Sequence, residues 1–288
     1  MIKPPWLIKP NVPFQATAAV RDTLADGRLN TVCRSARCPN MGECYSKGTA
    51  TFMILGEECS RSCGFCAVPH GRAPSLPDPD EPERVAQAAA RMGLEHVVVT
   101  SVTRDDLPDG GAGAFAQTIA AIRRLAPGAV VEALTPDFRG VMDAVDAVAA
   151  AGPAVYNHNL ETVEELYPRV RPQADYHGSL ELLAHVRSRY PEIIVKSGFM
   201  LGLGETMAQT LRLMADLRGA GCQILTIGQY LRPSRANLPV AEYIRPEVFE
   251  ELKAEGEGMG FAAVFSGPFV RSSYMAKHVL RGALAEDR

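Results

Sequence analysis

Short runs of β-branched and aliphatic residues alternate along most of this chain with longer stretches rich in Ala and Leu. The short runs fall at 51–55, 96–100, 130–134, 154–157, 193–196 and 223–227. Between them, apolar residues recur at helical spacing over 83–92, 114–125, 141–151, 180–190 and 206–217. Runs of four to six residues suit buried strands, and the 3.6-residue period suits helices packed on a sheet. A repeated strand-helix order predicts a parallel sheet with right-handed crossovers. Six such units are too few for a closed eight-stranded barrel and predict an open, partial (β/α)6 TIM-like barrel of the α/β class. A doubly wound sheet is the competing architecture. The first 50 residues break the pattern with Pro, Asn, Gly and Cys, and read as an extension organised by something other than periodic secondary structure. Beyond residue 245 the pattern predicts a helix, the apolar run 261–265, a Ser266-Gly267-Pro268 turn and a basic final helix.

Composition fills in this outline. The chain has 288 residues, 47% of them hydrophobic and 22% charged, enough apolar material for a sizeable core. A net charge of −3 provides no overall basic field for nucleic acid or anionic lipid. The longest apolar runs, 147–151 and 261–265, are far shorter than the roughly 20 residues that span a bilayer. Neither a signal-peptide core nor a transit-peptide composition stands at the start, so the expected location is the cytoplasm.

Seven cysteines are too sparse for a disulfide scaffold, but six crowd between positions 33 and 66. Cys59, Cys63 and Cys66 follow the first predicted strand, in a loop where parallel α/β folds place their chemistry. Spacings of three and two residues let one loop aim three thiolates at a four-iron cluster and leave the fourth iron without a protein ligand. Two other chemistries compete. Cys63 and Cys66 could form a redox dithiol, although Cys59 would then have no use, and Cys59, Cys63, Cys66 and His70 could close a zinc site. The motif resembles that of the radical S-adenosylmethionine enzymes. The resemblance implies that the cofactor chelates the open iron and is cleaved to a 5′-deoxyadenosyl radical able to abstract hydrogen from an unactivated carbon.

A second triplet, Cys33, Cys38 and Cys44, has four- and five-residue spacings and lacks the close pairs of a zinc ribbon. Cys222 could complete a set of four, but a lone Cys after Gly221 at the start of an apolar run reads as buried packing. The paired triplets, together with several ordered blocks, resemble the lipoyl synthase family over nearly the whole chain. The blocks include Thr51-Phe52-Met53-Ile54, the loop from Thr100 to Gly111, Leu134-Thr135-Pro136-Asp137-Phe138 and Asn157-His158-Asn159-Leu160-Glu161-Thr162. Lys196-Ser197-Gly198, Gly202-Leu203-Gly204-Glu205-Thr206, the run from Leu225 to Leu231 and Arg271-Ser272-Ser273-Tyr274 complete the match. The resemblance implies an auxiliary four-iron cluster on Cys33, Cys38, Cys44 and Ser273, whose sulfides go to C6 and C8 of an octanoyl chain on a carrier lysine. A hard serine oxygen on a soft cluster would be its weakest ligand. The implied partners are octanoylated lipoyl domains of 2-oxo-acid dehydrogenases and the glycine cleavage H protein, a flavodoxin or ferredoxin reductant, and iron-sulfur assembly proteins.

The expected organisation is a single integrated domain in three parts. Residues 1–50 carry the auxiliary cysteines, 51–240 the partial barrel, and 241–288 an extension over it. At strand ends, Thr100, Ser101, Asn157, Asn159 and Lys196 could direct polar groups at S-adenosylmethionine, or could serve only as caps and turn bonds. His158 reads as an orienting or packing residue. Gly111-Ala112-Gly113-Ala114-Phe115-Ala116 matches a dinucleotide fingerprint with Glu132 as ribose ligand, but the long polar loop before it favours a turn and helix start. Arg104, Asp105, Asp106 and Asp109 read either as a solvated face or, by resemblance, as the border of the active site. Met207-Ala208-Gln209 and Met275 depart from the family's usual residues without removing a ligand. The competing functions are another radical sulfur inserter, biotin-synthase-like or methylthio-transferring, and a zinc-stabilised binding module.

Overall fold

A computed structural model describes residues 3–71 and 76–274. In chain order its elements begin with α1 (Ala18–Asp26), β1 (Asn30–Thr31), α2 (Val32–Ser35), α3 (Met41–Ser46) and β2 (Thr51–Ile54). They continue with α4 (Glu81–Arg91), β3 (His96–Ser101), α5 (Ala112–Leu125), β4 (Val130–Leu134), α6 (Met142–Ala150) and β5 (Val155–Asn157). Then follow α7 (Tyr167–Val170), α8 (Tyr176–Arg189), β6 (Ile194–Leu201), α9 (Met207–Gly219), β7 (Ile224–Gln229), α10 (Pro246–Gly258) and β8 (Ala263–Ser266).

The strands follow chain order in one open sheet. The pairings β2 with β3, β3 with β4, β6 with β7, and β7 with β8 are parallel, whereas β1 runs antiparallel to β2. The expected partial α/β barrel is therefore present, and its six predicted strands correspond to β2–β7. The sheet gains a strand at each end. The apolar run 261–265 becomes most of β8, and β1 lies inside the segment expected to be without regular structure. That segment also contains α1–α3, a correction with a visible cause. In α1, Val20, Thr23 and Leu24 are buried at helical spacing, but the element is only nine residues long and its neighbours are single turns. Helices so short are stabilised by packing rather than by propensity.

Among the described residues the chain forms two compact units, one from Pro10–Arg61 with Ala67–Tyr156, the other from Met1–Lys9, Ser62–Cys66 and Asn157 onward. In the first, Phe115, Ile119 and Ile122 of α5 are completely buried, as are Phe52, Val97 and Val99 of the sheet. Each such side chain contributes roughly 1.5–3 kcal/mol. Helix α4 starts with Glu81, Pro82 and Glu83 and ends with Arg91, charges that suit its dipole. In the second unit, Thr206 and Gln209 form a reciprocal capping box at α9. The departure at Gln209 therefore preserves a helix cap. Among the described residues no helix is long and apolar enough to cross a membrane.

Register fixes where chemistry can occur. Ile54 pairs with Ser101 and Thr100 with Leu134, so the loops after β2, β3 and β4 leave from one edge. Leu201 pairs with Gln229 and Ile227 with Ser266, and the loops after β6, β7 and β8 do likewise in their own unit.

Candidate functional site

In the first unit, the loop after β2 turns through Leu55, whose φ of 70° lies in the left-handed region. Its N–H donates to the Glu81 carboxylate at 2.8 Å. Burial raises the Glu81 pKa, with the Leu55 N–H and Arg84 opposing. The backbone of Cys59 is held from both sides: its N–H donates to the Pro69 carbonyl at 2.8 Å, and its carbonyl accepts from Gly71 at 2.9 Å. The Thr103 N–H, in the loop after β3, donates to the Cys59 sulfur at 3.3 Å. That bond fixes the position of the sulfur relative to the loop after β3.

Two residues on, Arg61 joins three loops. Its guanidinium makes two bonds to Asp105 at 2.7 and 2.9 Å and two to Asp137, both at 2.6 Å. Burial opposes its charge, but the two carboxylates outweigh burial and hold it protonated. Bidentate pairing on both sides fixes the plane of the guanidinium and the path of the cysteine loop. Neighbouring Arg104 is buried, forks onto Asp106 at 2.9 Å and reaches the Leu55 carbonyl. Asp109 accepts from Gly111 and Gly113 at the start of α5. The segment 104–109 thus clamps its loop through buried Arg104 and half-buried Asp105, while Asp106 and Asp109 make their bonds from exposed positions. Gly111 serves the turn, since its φ is 91° and a Cβ there would lie 2.3 Å from a Leu55 methyl. Glu132 is bound to buried His96 at 3.1 Å, not placed as a ribose ligand.

Cys63 and Cys66 belong to the second unit, where the Cys66 N–H donates to the Cys63 carbonyl at 3.1 Å. Gly64 exchanges backbone bonds with Val170 and Leu238, and the Asn237 amide donates to the Cys66 carbonyl at 2.7 Å. A Cβ on Gly64 would come within 2.8 Å of the Leu238 side chain. Phe65 packs against buried Val170, Leu203 and Tyr230.

The N-terminal triplet lies on α2, α3 and the turn between them. The Cys38 N–H donates to the Cys33 carbonyl at 3.0 Å, and that of Cys44 to the Asn40 carbonyl at 2.8 Å. Thr31 caps α2 and shares a 2.7 Å hydrogen bond with Tyr45, the residue after Cys44. Burial pushes the Cys33 thiol up, Thr51 opposes, and the nearby Cys38 adds to the rise. Among the described residues no three His, Cys, Asp or Glu side chains gather tightly enough to hold one ion. A four-iron cluster takes each thiolate on a separate iron and needs no such convergence.

The polar block after β5 meets the C-terminal serine motif within the second unit. The Asn159 amide donates to Ser272 Oγ at 2.5 Å and to Glu161 at 3.0 Å. Arg171 donates to the carbonyls of Asn159 and Leu160. Burial raises the Glu161 carboxyl, opposed by Arg171, the Asn159 bond and Arg271. Close approach at Gly228 steers the same strap: a Cβ there would stand 2.2 Å from the Val270 carbonyl. Asn159 Oδ1 is buried without a hydrogen-bond partner, beside Gly198, where a Cβ would lie 2.1 Å from Thr226 Oγ1 and 3.3 Å from that Oδ1. Gly198 thus keeps open a space lined by hydrogen-bonding groups. In the other unit, Ser101 Oγ is likewise buried and unpartnered, while the Thr100 hydroxyl donates to the Leu134 carbonyl at 2.9 Å. Asn157 and Lys196 are both completely buried. His158 bonds Ser179 at 3.1 Å, in keeping with packing.

Residues 53–217 match the Radical SAM superfamily. The lipoyl synthase of Thermus thermophilus is 55% identical over 278 residues, 96% of this chain and 86% of that protein. The lipoyl synthase of Rubrobacter xylanophilus is 54% identical, over 98% of this chain and 89% of its own. The chain belongs to the lipoyl synthase family. Solved structures at low identity share the fold. Methylornithine synthase superposes with a TM-score of 0.52 at 12% identity, covering 82% of this chain and 80% of its own. Coproporphyrinogen III oxidase from Escherichia coli gives 0.53 at 14% identity, covering 71% and 51%.

As a lipoyl synthase, the protein is a radical S-adenosylmethionine enzyme that inserts sulfur, and its substrate is a lipoyl carrier protein. Family membership removes the zinc-stabilised module and the other sulfur inserters as readings of the whole chain. Cys222 is fully buried, with its thiol 3.2 Å from the Ile224 carbonyl, and burial pushes its pKa up to about 12. That environment suits packing rather than ligation. Sequence reasoning missed the Arg61 clamp, although an Arg between two motif cysteines and three loop aspartates was a signal. It also missed Asn237, for which no local signal exists. Met275 and the basic final stretch lie outside the described residues.

Proposed function

We propose that this lipoyl synthase holds one four-iron cluster on Cys59, Cys63 and Cys66 and a sulfur-donating second on Cys33, Cys38, Cys44 and Ser273. It inserts sulfur at C6 and C8 of a protein-bound octanoyl-lysine. The first cluster with S-adenosylmethionine supplies one-electron chemistry that activates a C–H bond, and the second supplies sulfur. Around them the protein positions and shields. The Thr103 N–H on Cys59 and the Arg61 clamp hold the first loop in place. Ser101 and Asn159 present buried polar atoms without protein partners, which suits hydrogen bonding to the amine, carboxylate and ribose of the cofactor. Thr100, Asn157 and Lys196 complete that set.

The observation that carries the two-cluster reading is the bond from Asn159 to Ser272, which ties the serine motif to the strand-end polar block. Ser273, next to that anchored serine, would offer a cluster a hard oxygen ligand, the weakest of its four. The carriers are octanoylated domains of 2-oxo-acid dehydrogenases and glycine cleavage H protein, served by a flavodoxin or ferredoxin and by cluster-assembly proteins in the cytoplasm. Anaerobic incubation of an octanoyl-lysyl peptide with reductant and S-adenosylmethionine, read by mass spectrometry, should show a gain of two sulfurs. A protein loaded with both clusters that adds none would sink the proposal. Ser273→Cys should retain its iron yet slow insertion, and normal lipoyl formation by that variant would refute the serine's role.

A further inference from the structure

Away from the strand ends, the N-terminal segment encloses a groove of about 830 Å³ that the sulfur chemistry leaves unexplained. Phe14, Met41 and Tyr45 contribute apolar wall, and the guanidinium groups of Arg21, Arg28 and Arg34 line the rest. None of these three arginines makes an ion pair among the described residues. Arg21 lies over the Phe14 ring, 3.2 Å from its centroid, a cation–π contact that holds the guanidinium against the apolar wall. Asp22 and Glu57 also line the groove, so its balance is three cations to two anions. The nearby Asp78, whose carboxylate feels Arg28, is bonded to Arg84. Elsewhere Arg61, Arg84, Arg91, Arg104, Arg124 and Arg212 all have carboxylate partners. Three unpaired guanidinium groups around a concave apolar wall suit carboxylates flanking an apolar side chain. The wall is also the cysteine segment itself: Arg34 follows Cys33, and Met41 and Tyr45 share α3 with Cys44.

We propose that this groove docks an acidic surface segment of the carrier protein and so delivers its octanoyl-lysine beside the cysteine-bearing helices. The proposal rests on the lipoyl synthase reading and adds how the protein part of the substrate is recognised. Rim charges act chiefly on encounter and salt dependence, while the apolar wall fixes register. A short octanoyl-lysyl peptide lacks the acidic surface and has no use for the groove.

The test measures carrier Kd by calorimetry, with peptide turnover assayed separately. Charge reversal in Arg21→Glu/Arg28→Glu should weaken carrier binding by about tenfold or more and flatten its salt dependence, with peptide turnover within about twofold of the parent. Arg28→Lys should bind within about threefold of the parent. Should the double variant lose its iron or its thermal transition, the parent enzyme can be titrated with a carrier whose surface carboxylates are changed to Lys, and the same loss is expected. Unchanged carrier Kd in either arm overturns the proposal, as does a variant in which carrier binding holds but reloading by an assembly protein fails. Peptide turnover by the parent tests the chemistry and carrier Kd tests the groove, so the two failures are distinguishable.

Discussion

Arg61→Met should be among the most damaging single changes outside the cysteines. Arg61 is 6% exposed and Asp137 7%. The substitution removes four charge-assisted bonds of 2.6–2.9 Å and leaves two carboxylates facing a thioether. Breaking a buried ion pair from one side costs about 3–5 kcal/mol, because the surviving charge remains desolvated. Asp105 has a quarter of its side chain exposed and regains water, so the lower end applies, about 3 kcal/mol. For a chain of this size that corresponds to a fall of about 6 °C or more in Tm. Chemical denaturation measures the first quantity and calorimetry the second. Adding Asp105→Asn and Asp137→Asn removes the stranded charges, so the triple variant should recover at least about 1.5 kcal/mol over Arg61→Met alone. Cys59 sits two residues from the clamp, so iron bound by the first triplet should fall in Arg61→Met. Unfolding within about 0.5 kcal/mol of the parent, or a triple variant no more stable than the single one, would refute the clamp.

Three further outcomes follow from the geometry. Gly228→Ala places a Cβ against the Val270 carbonyl and should shift the strap that carries Ser273, lowering iron from about eight to about four per chain; unchanged iron content would count against the strap. The Tyr45 phenol is pushed up to about 12 by burial, with the Thr31 bond opposing. Between pH 10 and about 12 the unfolded chain gives up a proton that the folded one keeps, so stability falls as pH rises, and Tyr45→Phe should flatten part of that loss in urea midpoints taken across the window. An identical slope in both proteins would argue against a protected phenol. Cys222→Ala should keep every iron and cost about 1 kcal/mol of stability by denaturant unfolding, whereas loss of about four irons would make Cys222 a ligand.

Much of the fold was legible because its causes are local. β-branched runs at 96–100 and 130–134 mark β3 and β4 almost to the residue, and the Ala-rich period over 114–125 marks α5. Less legible were α1–α3, where tertiary burial stabilises elements too short to announce themselves. For β8, an apolar run of five could equally have been packing in a C-terminal extension. The cysteine triplets were readable for a related reason: three thiols within eight residues (59–66) or twelve (33–44) are kept near one another by the chain itself. Glycines were visible as residues but not as spaces. Only the structure shows that a side chain at Gly198 would collide with Thr226 and crowd Asn159, and that Gly228 yields to Val270.

The chain by itself determined the strand-helix order, the two cysteine triplets and the family to which the chain belongs, because each rests on spacing over a few residues or on ordered blocks. Tertiary structure alone decided which distant polar groups meet. Arg61 and Asp137 are 76 positions apart, and Asn159 and Ser272 are 113 apart. Three arginines spread from 21 to 34 line one groove only because α1, β1 and α2 pack together. Spacing does not encode such meetings; they depend on the register of the sheet and on which loops leave from the same edge.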